Sequence, residues 1–468
     1  MIKQNKWANR ILLISLVLLP SILILIFKLW IDIDRPLFIY DYLIVLLLVA
    51  INTPLLITWA IYVLIFTLDL ASIFSKIYLF NLADFLNSLK YFSNYSYNFI
   101  QAIQAIFALL LFIFLYLLFK KIKNNLKFDI KSVLIFITLL ISMLFLDNFN
   151  GSSILMPYKY SRNFYKGNFA GCNGILLYLN IRNQNFNSSY PLKESSIGES
   201  TSYKYFKDDS IGNQMIIIVE SFGLINDPLI RKEFENKISQ IFESNNWQYR
   251  WGKARFSGGT TRAELRELFN SEGDYRYLLD PKHAGISKSL IKIKKNQGYN
   301  TSAIHSFKGN MFERQLWWKN VGIENIYFSE DVQKESNFKK KLNYDTPFIS
   351  ANDEDAFHYI QNKVSKDKKE FLYFLTENGH LPFKGFIKET IVDENVYLKK
   401  MGSMSEEGIN QHKRIWGFLK YVAKKLNQSK IQKVIIIGDH MPPFTNKIDR
   451  AYYNDKYVPF VELKLIKE

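Results

Sequence analysis

The chain has 468 residues, a formal net charge of +17 and a single cysteine, Cys172. That length holds more than one domain, and one cysteine excludes an intramolecular disulfide and a cysteine-based zinc site. The 60 lysines and arginines are spread along the chain and its first third is intensely apolar, so the basic balance points to an anionic membrane surface. No nucleic-acid partner is expected.

Five apolar segments precede residue 150. The first is about Ile11–Trp30. The stretch Leu37–Phe74 is broken by Asn52, Thr53 and Pro54 and reads as two spans joined by a tight turn, roughly 38–52 and 54–75. The fourth is about Phe99–Phe119 and the fifth about Ile130–Leu146. These lengths approach the roughly 20 residues that cross a bilayer, with the second and fifth at the short end. Lys3, Lys6 and Arg10 mark the N-terminus as cytoplasmic. Lys120, Lys121, Lys123 and Lys127 mark the loop after the fourth span in the same way. Five spans satisfy both signals and deliver everything after about residue 147 to the outside. A single long helix over 37–74 would reverse that. Residues 1–149 are therefore expected to form a five-span domain in the cytoplasmic (inner) membrane.

Residues 150–212 read as an interfacial linker. They are rich in Asn, Ser, Gly, Tyr and Lys, and the aromatic and basic residues near Tyr158–Tyr165 suit a membrane interface. Gly174–Leu179 is the main apolar piece, and 189–210 has the composition of a loop.

From residue 213 the pattern changes. Met215–Val219, Val434–Ile437 and Phe371–Leu375 are short continuous apolar runs, the mark of strands buried on both faces. Asn300–Ile304 reads as a fourth strand, and helical patterns such as Ile409–Lys425 lie between them. This alternation predicts an α/β domain with a mostly parallel sheet.

The chemistry-bearing side chains share one position. Glu220, His305, His380, Asp439 and His440 each follow the end of an expected strand, the edge at which open α/β sheets bind ligands. Asp, Glu and His together suit a divalent cation such as Zn²⁺ or Mn²⁺. In Phe256-Ser257-Gly258-Gly259-Thr260-Thr261-Arg262-Ala263-Glu264-Leu265, a glycine turn leads into a helix whose apolar face holds Leu265, Leu268 and Phe269. Thr261 and Glu264 have capping-box spacing. Thr260 then sits at a helix N-terminus, where backbone N–H groups favour an anion and a hydroxyl can attack phosphorus. Taken singly, each residue has a plainer reading: an N-capped surface helix, a hydrogen-bonded structural histidine, or a turn before Pro442-Pro443.

As an ordered set the motifs carry more. Ile217-Ile218-Val219-Glu220-Ser221, the Gly-Gly-Thr-Thr-Arg-Ala-Glu turn, His305 with Phe312 and Arg314, His380-Leu381-Pro382-Phe383 and Gly438-Asp439-His440-Met441-Pro442-Pro443 follow one another as they do in a known family. The chain resembles the sulfatase-like, alkaline-phosphatase-superfamily transferases of the bacterial envelope, the family of lipoteichoic acid synthase and the glucan phosphoglycerol transferase. The resemblance covers the whole chain in layout and about residues 213–465 in motifs. It implies an extracytoplasmic sulfatase-like catalytic domain over 213–468. It makes Thr260 the nucleophile, with Glu264 as an anchor. Glu220, Thr260, Asp439 and His440 become ligands of a divalent metal, Mn²⁺ first and Zn²⁺ or Mg²⁺ otherwise. His305 and His380 become catalytic pocket histidines, and Arg314 and Phe312 substrate contacts. Phe312 stands where the family often has Trp, and Phe307 where it has an acidic residue.

The activity the resemblance implies is transfer of a phosphoglycerol head group from phosphatidylglycerol to an envelope glycan or polymer, through a phospho-threonine intermediate. Transfer of phosphoethanolamine, hydrolysis of a phosphodiester and an inactive scaffold in polymer assembly stay open at this point. The absence of a Cys/Ser-x-Pro-x-Arg motif at Thr260-Thr261-Arg262-Ala263 counts against a true sulfatase.

Overall fold

The computed structural model describes residues 11–15, 17–20, 22, 39–78, 99–124, 130–149, 192–194, 200–335, 342–343, 350–364, 368–381, 402–427 and 429–466. It divides into two compact units, Met1–Leu89 with Tyr97–Gln184 and Lys90–Ser96 with Asn185–Glu468. Half of the expected first span, Tyr158–Tyr165, the run Gly174–Leu179, and Pro382-Phe383 lie outside the described residues.

In the first unit, helices α1 (Asp41–Ala50), α2 (Leu55–Tyr78), α3 (Phe99–Asn124) and α4 (Ile130–Phe149) are built from almost unbroken apolar sequence. The chain turns between α1 and α2 at Asn52, which takes a left-handed φ of 60°, and Pro54 follows. Asn tolerates that conformation and Pro suits a helix start, so Asn52–Pro54 breaks the long apolar stretch as its sequence suggests. Trp59 packs against Phe119 with ring centroids 5.7 Å apart, and the Tyr42 hydroxyl donates to Asp69 at 3.2 Å. Other faces of these helices present large apolar side chains outward, among them Leu56, Leu64, Phe114, Leu117, Ile130 and Ile135. Among the described residues no helix is long and apolar enough to cross a membrane. The described side chains of α2 and α4 stop at Leu70 and Ser142. Five spans therefore remain an expectation of the sequence.

The second unit is an α/β domain. Its opening segment, expected to be a loop over 189–210, instead contains α5 (Thr201–Phe206). Ser200 accepts a hydrogen bond from Tyr203 N as N-cap, and Phe206 is fully buried against Phe371. A local cap and one buried ring order a segment whose composition suggests none. Then come β1 (Asn213–Val219), α6 (Pro228–Glu243), β2 (Trp247–Arg255), α7 (Thr260–Phe269), α8 (Leu290–Asn296), β3 (Asn300–His305), α9 (Arg314–Val321), β4 (Asn325–Tyr327), α10 (Asp353–Asn362), β5 (Glu370–Leu375), α11 (Glu406–Leu426), β6 (Ile431–Gly438) and β7 (Tyr457–Leu465).

One seven-stranded sheet runs β2-β7-β6-β1-β5-β3-β4. The pairs β6/β1, β1/β5, β5/β3 and β3/β4 are parallel, with Ile217 between Ile436 and Phe374. The four strands read from the sequence are adjacent at its centre. Met215–Ile218, Phe371–Leu375 and Val434–Ile437 are all at most 1% exposed, as expected for parallel strands covered on both faces. Two further strands, β7 and β2, extend the sheet antiparallel at one side. The sequence reading missed them, because β2 alternates with exposed charges such as Arg250 and Arg255 and is an edge strand.

Candidate active site

The central order β6-β1-β5-β3 brings the four chemistry-bearing strand ends side by side. Asp439 and His440 follow β6, Glu220 follows β1, Glu377 and His380 follow β5, and His305 ends β3. Glu220, Asp439 and His440 form one buried group whose candidate ligand atoms all lie within 4.8 Å of one another.

Thr260 joins them from another element. It is the first residue of α7, after Gly258 at a φ of 74° and the N-cap Gly259. Its Oγ1 lies 3.0 Å from Glu220 Oε2 and 3.0 Å from Asp439 Oδ2. One hydroxyl proton serves only one of these carboxylates at a time. The capping box expected between Thr261 and Glu264 does not form: no side chain caps α7, and Glu264 is turned into the protein. Its partners are internal, namely Arg314, Trp318 Nε1 and the Tyr373 hydroxyl. They leave it no reach back to the helix start.

Ser221, quoted only as part of a motif in the sequence reading, braces both carboxylates. Its N–H donates to Asp439 Oδ1 at 2.8 Å and its hydroxyl to Glu220 Oε1 at 2.9 Å. To do so it adopts a left-handed φ of 57°, unusual for a residue with a side chain. Thr376 accepts from Glu220 N at 2.9 Å. Gly379 lets the β5 loop pass close by, since a Cβ there would stand 2.2 Å from the Glu220 carbonyl oxygen.

Three histidines use the same device. His440 Nδ1 donates to Met441 O at 2.8 Å, His380 Nδ1 to Leu381 O at 2.6 Å, and His305 Nδ1 to Leu375 O at 3.1 Å. A carbonyl oxygen only accepts, so Nδ1 carries the proton and Nε2 keeps its lone pair when the ring is neutral. His440 Nε2 faces Asp439 Oδ2 at 3.3 Å and Glu220 Oε1 at 3.5 Å. A lone pair facing two carboxylates is repulsive unless a proton or a cation stands between them. Burial, and next the charge of Glu220, push Asp439 up to about 7. Burial works against a charged His440 ring, but Asp439 and Glu220 overcome it and hold the pKa above the ordinary value. The donor set and its unbalanced negative charge fit a divalent cation.

Farther along the strand edge, His305 is buried and its pKa is driven well below the ordinary value, by burial and then by Arg314. Arg314 Nη1 lies 3.4 Å from His305 Nε2. The same guanidinium donates to Glu264 and lies over the Phe312 ring at 5.2 Å, so it is an internal group, 1% exposed. Phe312 itself takes a left-handed φ of 51°. His380 is pushed down to about 4, chiefly by burial.

Arg266 and Glu377 also escaped the sequence reading. Arg266 donates to the carbonyl oxygens of Gly438 at 2.9 Å and Asp439 at 3.4 Å, tying α7 to the end of β6. Glu267 beside it holds Arg266 Nε and accepts from Ser200 Oγ and Ser202 N, both at 2.9 Å. An arginine next to Leu265 and Leu268 carries no sequence signal of such a contact.

Residues 255–461 match the family model described as sulfatase. No curated protein matches the sequence. Among solved structures, the integral membrane protein lipooligosaccharide phosphoethanolamine transferase A from Neisseria meningitidis is similar over 91% of this chain and 80% of its own, at 13% identity and a TM-score of 0.50. Phosphoglycerol transferase GacH from Streptococcus pyogenes is similar over 57% of this chain and 77% of its own, at 16% identity and a TM-score of 0.34. Lipoteichoic acid synthase LtaP from Listeria monocytogenes is similar over 57% and 69%, at 13% identity and a TM-score of 0.37. Residues 255–461 thus resemble the sulfatase family in sequence, and the likeness to the phosphoethanolamine transferase structure is one of fold.

Proposed function

We propose that the chain is a membrane-bound, metal-dependent transferase that moves a phosphoglycerol head group from phosphatidylglycerol to a cell-envelope glycan or polymer, through a phospho-threonine at Thr260. The observation that carries this reading is the Thr260 hydroxyl, 3.0 Å from one carboxylate oxygen each of Glu220 and Asp439, at the N-terminus of α7. Glu220, Thr260, Asp439 and His440 would hold a divalent cation, Mn²⁺ in this reading, which would lower the pKa of the hydroxyl and offset negative charge on the phosphoryl oxygens.

In the first half-reaction Thr260 Oγ1 bonds to phosphorus and the bond to the diacylglycerol oxygen breaks. The hydroxyl proton has carboxylate acceptors on Glu220 and Asp439 and leaves with diacylglycerol. The helix N-terminus favours the phosphate then attached to Thr260. In the second half-reaction an acceptor hydroxyl displaces Thr260. His380, neutral at pH 7 with Nδ1 donating to Leu381 O, has the form a general base needs there. His305, Arg314 and Phe312 wall the neighbouring strand end and are assigned to the head group.

The first unit supports a membrane location. Its helices expose large apolar side chains that water would leave costly, and a lipid phase would not. Lys123 Nζ donates to Thr53 O, so the α1–α2 turn and the lysine-rich end of α3 lie at one end of the unit. That is the parity the five-span reading requires, with both in the cytoplasm and the catalytic domain outside.

The test is intact mass spectrometry of the detergent-purified chain with Mn²⁺ and phosphatidylglycerol, beside Thr260→Ala. A phosphoglycerol adduct missing from the variant is the expected result. Full transfer activity in Thr260→Ala would sink the reading. An adduct from phosphatidylethanolamine alone would move the protein to phosphoethanolamine transfer.

A further inference from the structure

The residues that lead into the sheet domain have the composition of a linker, yet their hydrogen bonds converge on one helix. Lys193–Glu194 pairs antiparallel with Ser271 and Glu272, just past the end of α7. Ser200 N donates at 2.7 Å to Oδ1 of Asn270, the left-handed residue that ends α7. Ser200 Oγ and Ser202 N both donate at 2.9 Å to Oε2 of Glu267, in the last turn of α7. Phe206, buried against Phe371, anchors the other end of α5 to the sheet.

From Glu267 the contacts run on to the site. Its other oxygen, Oε1, holds Arg266 Nε, and Arg266 reaches the carbonyl oxygens of Gly438 and Asp439. Asp439 Oδ2 stands 3.0 Å from Oγ1 of Thr260, the first residue of the same helix. Ser200, Ser202, Arg266 and Glu267 are all at most 5% exposed, so water does not readily replace a lost partner. A buried carboxylate oxygen that loses its donors must find others. The Arg266 guanidinium is already bonded to Glu267, and drawing it further onto that side chain takes it off the Gly438 and Asp439 carbonyls.

We propose that this segment is a clamp on the catalytic apparatus: Ser200 and Ser202, acting through Glu267 and Arg266, position Asp439 relative to Thr260. Glu267 is then a positioning residue, and the working domain begins ahead of β1, at Ser200. This rests on the transferase reading only in taking Thr260 and Asp439 as the working pair.

The test is a set of substitutions in the full-length protein in detergent. Ser200→Asp keeps an oxygen that caps α5 but faces Glu267 with a second carboxylate in place of a donor. Free Mn²⁺, followed by electron paramagnetic resonance, should report about tenfold weaker binding, the lower end of what outer supports of a metal site contribute. Ser200→Ala, a smaller change, should move binding the same way. Ser200→Thr, which keeps the hydroxyl, should bind like the parent. So should Tyr203→Phe, which removes the tie from α5 to Lys288 O. In an Arg266→Lys background Ser200→Asp should add little, because its effect passes through Arg266. Hydrogen exchange of the metal-free chain gives a readout independent of Mn²⁺. Ser200→Asp should quicken exchange in Thr260–Phe269 and 437–441 as well as in 200–206. Faster exchange in 200–206 alone marks a purely local structural role and overturns the proposal. So does parent-like Mn²⁺ binding by Ser200→Asp and Ser200→Ala, or the same fold loss with Arg266→Lys as without it. A parent chain that binds no Mn²⁺ would defeat the metal reading alone, and the exchange pattern would still decide this one.

Discussion

Arg314 donates from Nε and Nη2 to a single carboxylate oxygen of Glu264, at 3.0 and 2.8 Å, with neither residue more than 1% exposed. The other Glu264 oxygen accepts from Trp318 Nε1 and the Tyr373 hydroxyl, both at 3.1 Å. Glu264 lies in α7 one turn beyond Thr260, so this cluster fixes the helix that carries the hydroxyl. Replacing one partner leaves the other charge buried and alone, which costs about 3–5 kcal/mol, whereas removing both costs less than the sum. Glu264→Leu and Arg314→Leu should each lower the unfolding free energy by that order. The double variant should recover part of the loss in denaturant titration. Strictly additive losses would show that the two side chains act apart.

Arg266 makes a second tie between α7 and the sheet edge that carries Asp439, through the Gly438 and Asp439 carbonyls. Its fork reaches two acceptors that a lysine ammonium cannot reach together. Arg266→Lys keeps the charge and should loosen Asp439 relative to Thr260. Outer supports of this kind are worth about 10–100-fold in metal affinity. The expected result is a drop of that size in Mn²⁺ affinity, read as a smaller rise in melting temperature when Mn²⁺ is restored to chelator-treated protein. A response equal to that of the parent chain would remove Arg266 from the support of the site.

Much of this arrangement is legible in the sequence. The runs around Ile217, Phe374 and Ile436 announce central strands, because a strand covered on both faces has no polar alternation to confuse with a helix. Glu220, Asp439 and His440 are legible because strand ends in such sheets are where polar groups gather. The convergence of Thr260 upon them follows from the turn at Gly258-Gly259. Other features depend on partners far away in sequence. Glu264 has capping spacing, but the buried Arg314 takes it. Ser221 looks like an ordinary turn residue until Asp439 and Glu220 are seen on either side of it. The edge strand Trp247–Arg255 carries too many exposed charges to show a strand pattern, and α5 is held by the single buried ring of Phe206.

Gly379 sits where the β5 loop crosses Glu220. A Cβ built there meets a backbone oxygen at 2.2 Å, and the obstacle is main chain that cannot swing aside. Gly379→Ala must therefore displace either the His380 loop or the Glu220 backbone. The expected outcome is loss of transfer by at least about tenfold, since misplacing catalytic groups by about 1 Å costs that much or more. Parent-like turnover with an intact metal response would mean that the loop yields without moving either group.

His412 offers a pH test away from the metal ligands. It lies in α11, 5% exposed, with its ring 4.9 Å from that of Phe234. Burial alone pushes its pKa down to about 4. An unfolded histidine titrates near 6.5, so between these values the unfolded chain binds the extra proton and the folded chain does not. Stability therefore rises with pH through that window, is complete above about 6.5, and is lost as the pH falls towards 4. The full difference is worth about 3 kcal/mol for this one side chain. His305 is depressed in the same direction and steepens the same limb. His412→Gln cannot take up the proton, so its unfolding free energy should fall less between pH 7 and pH 4.5 than that of the parent. Guanidinium titrations of the full chain in detergent at the two pH values measure this. Parallel losses in the two proteins would show that His412 meets acid no differently folded than unfolded.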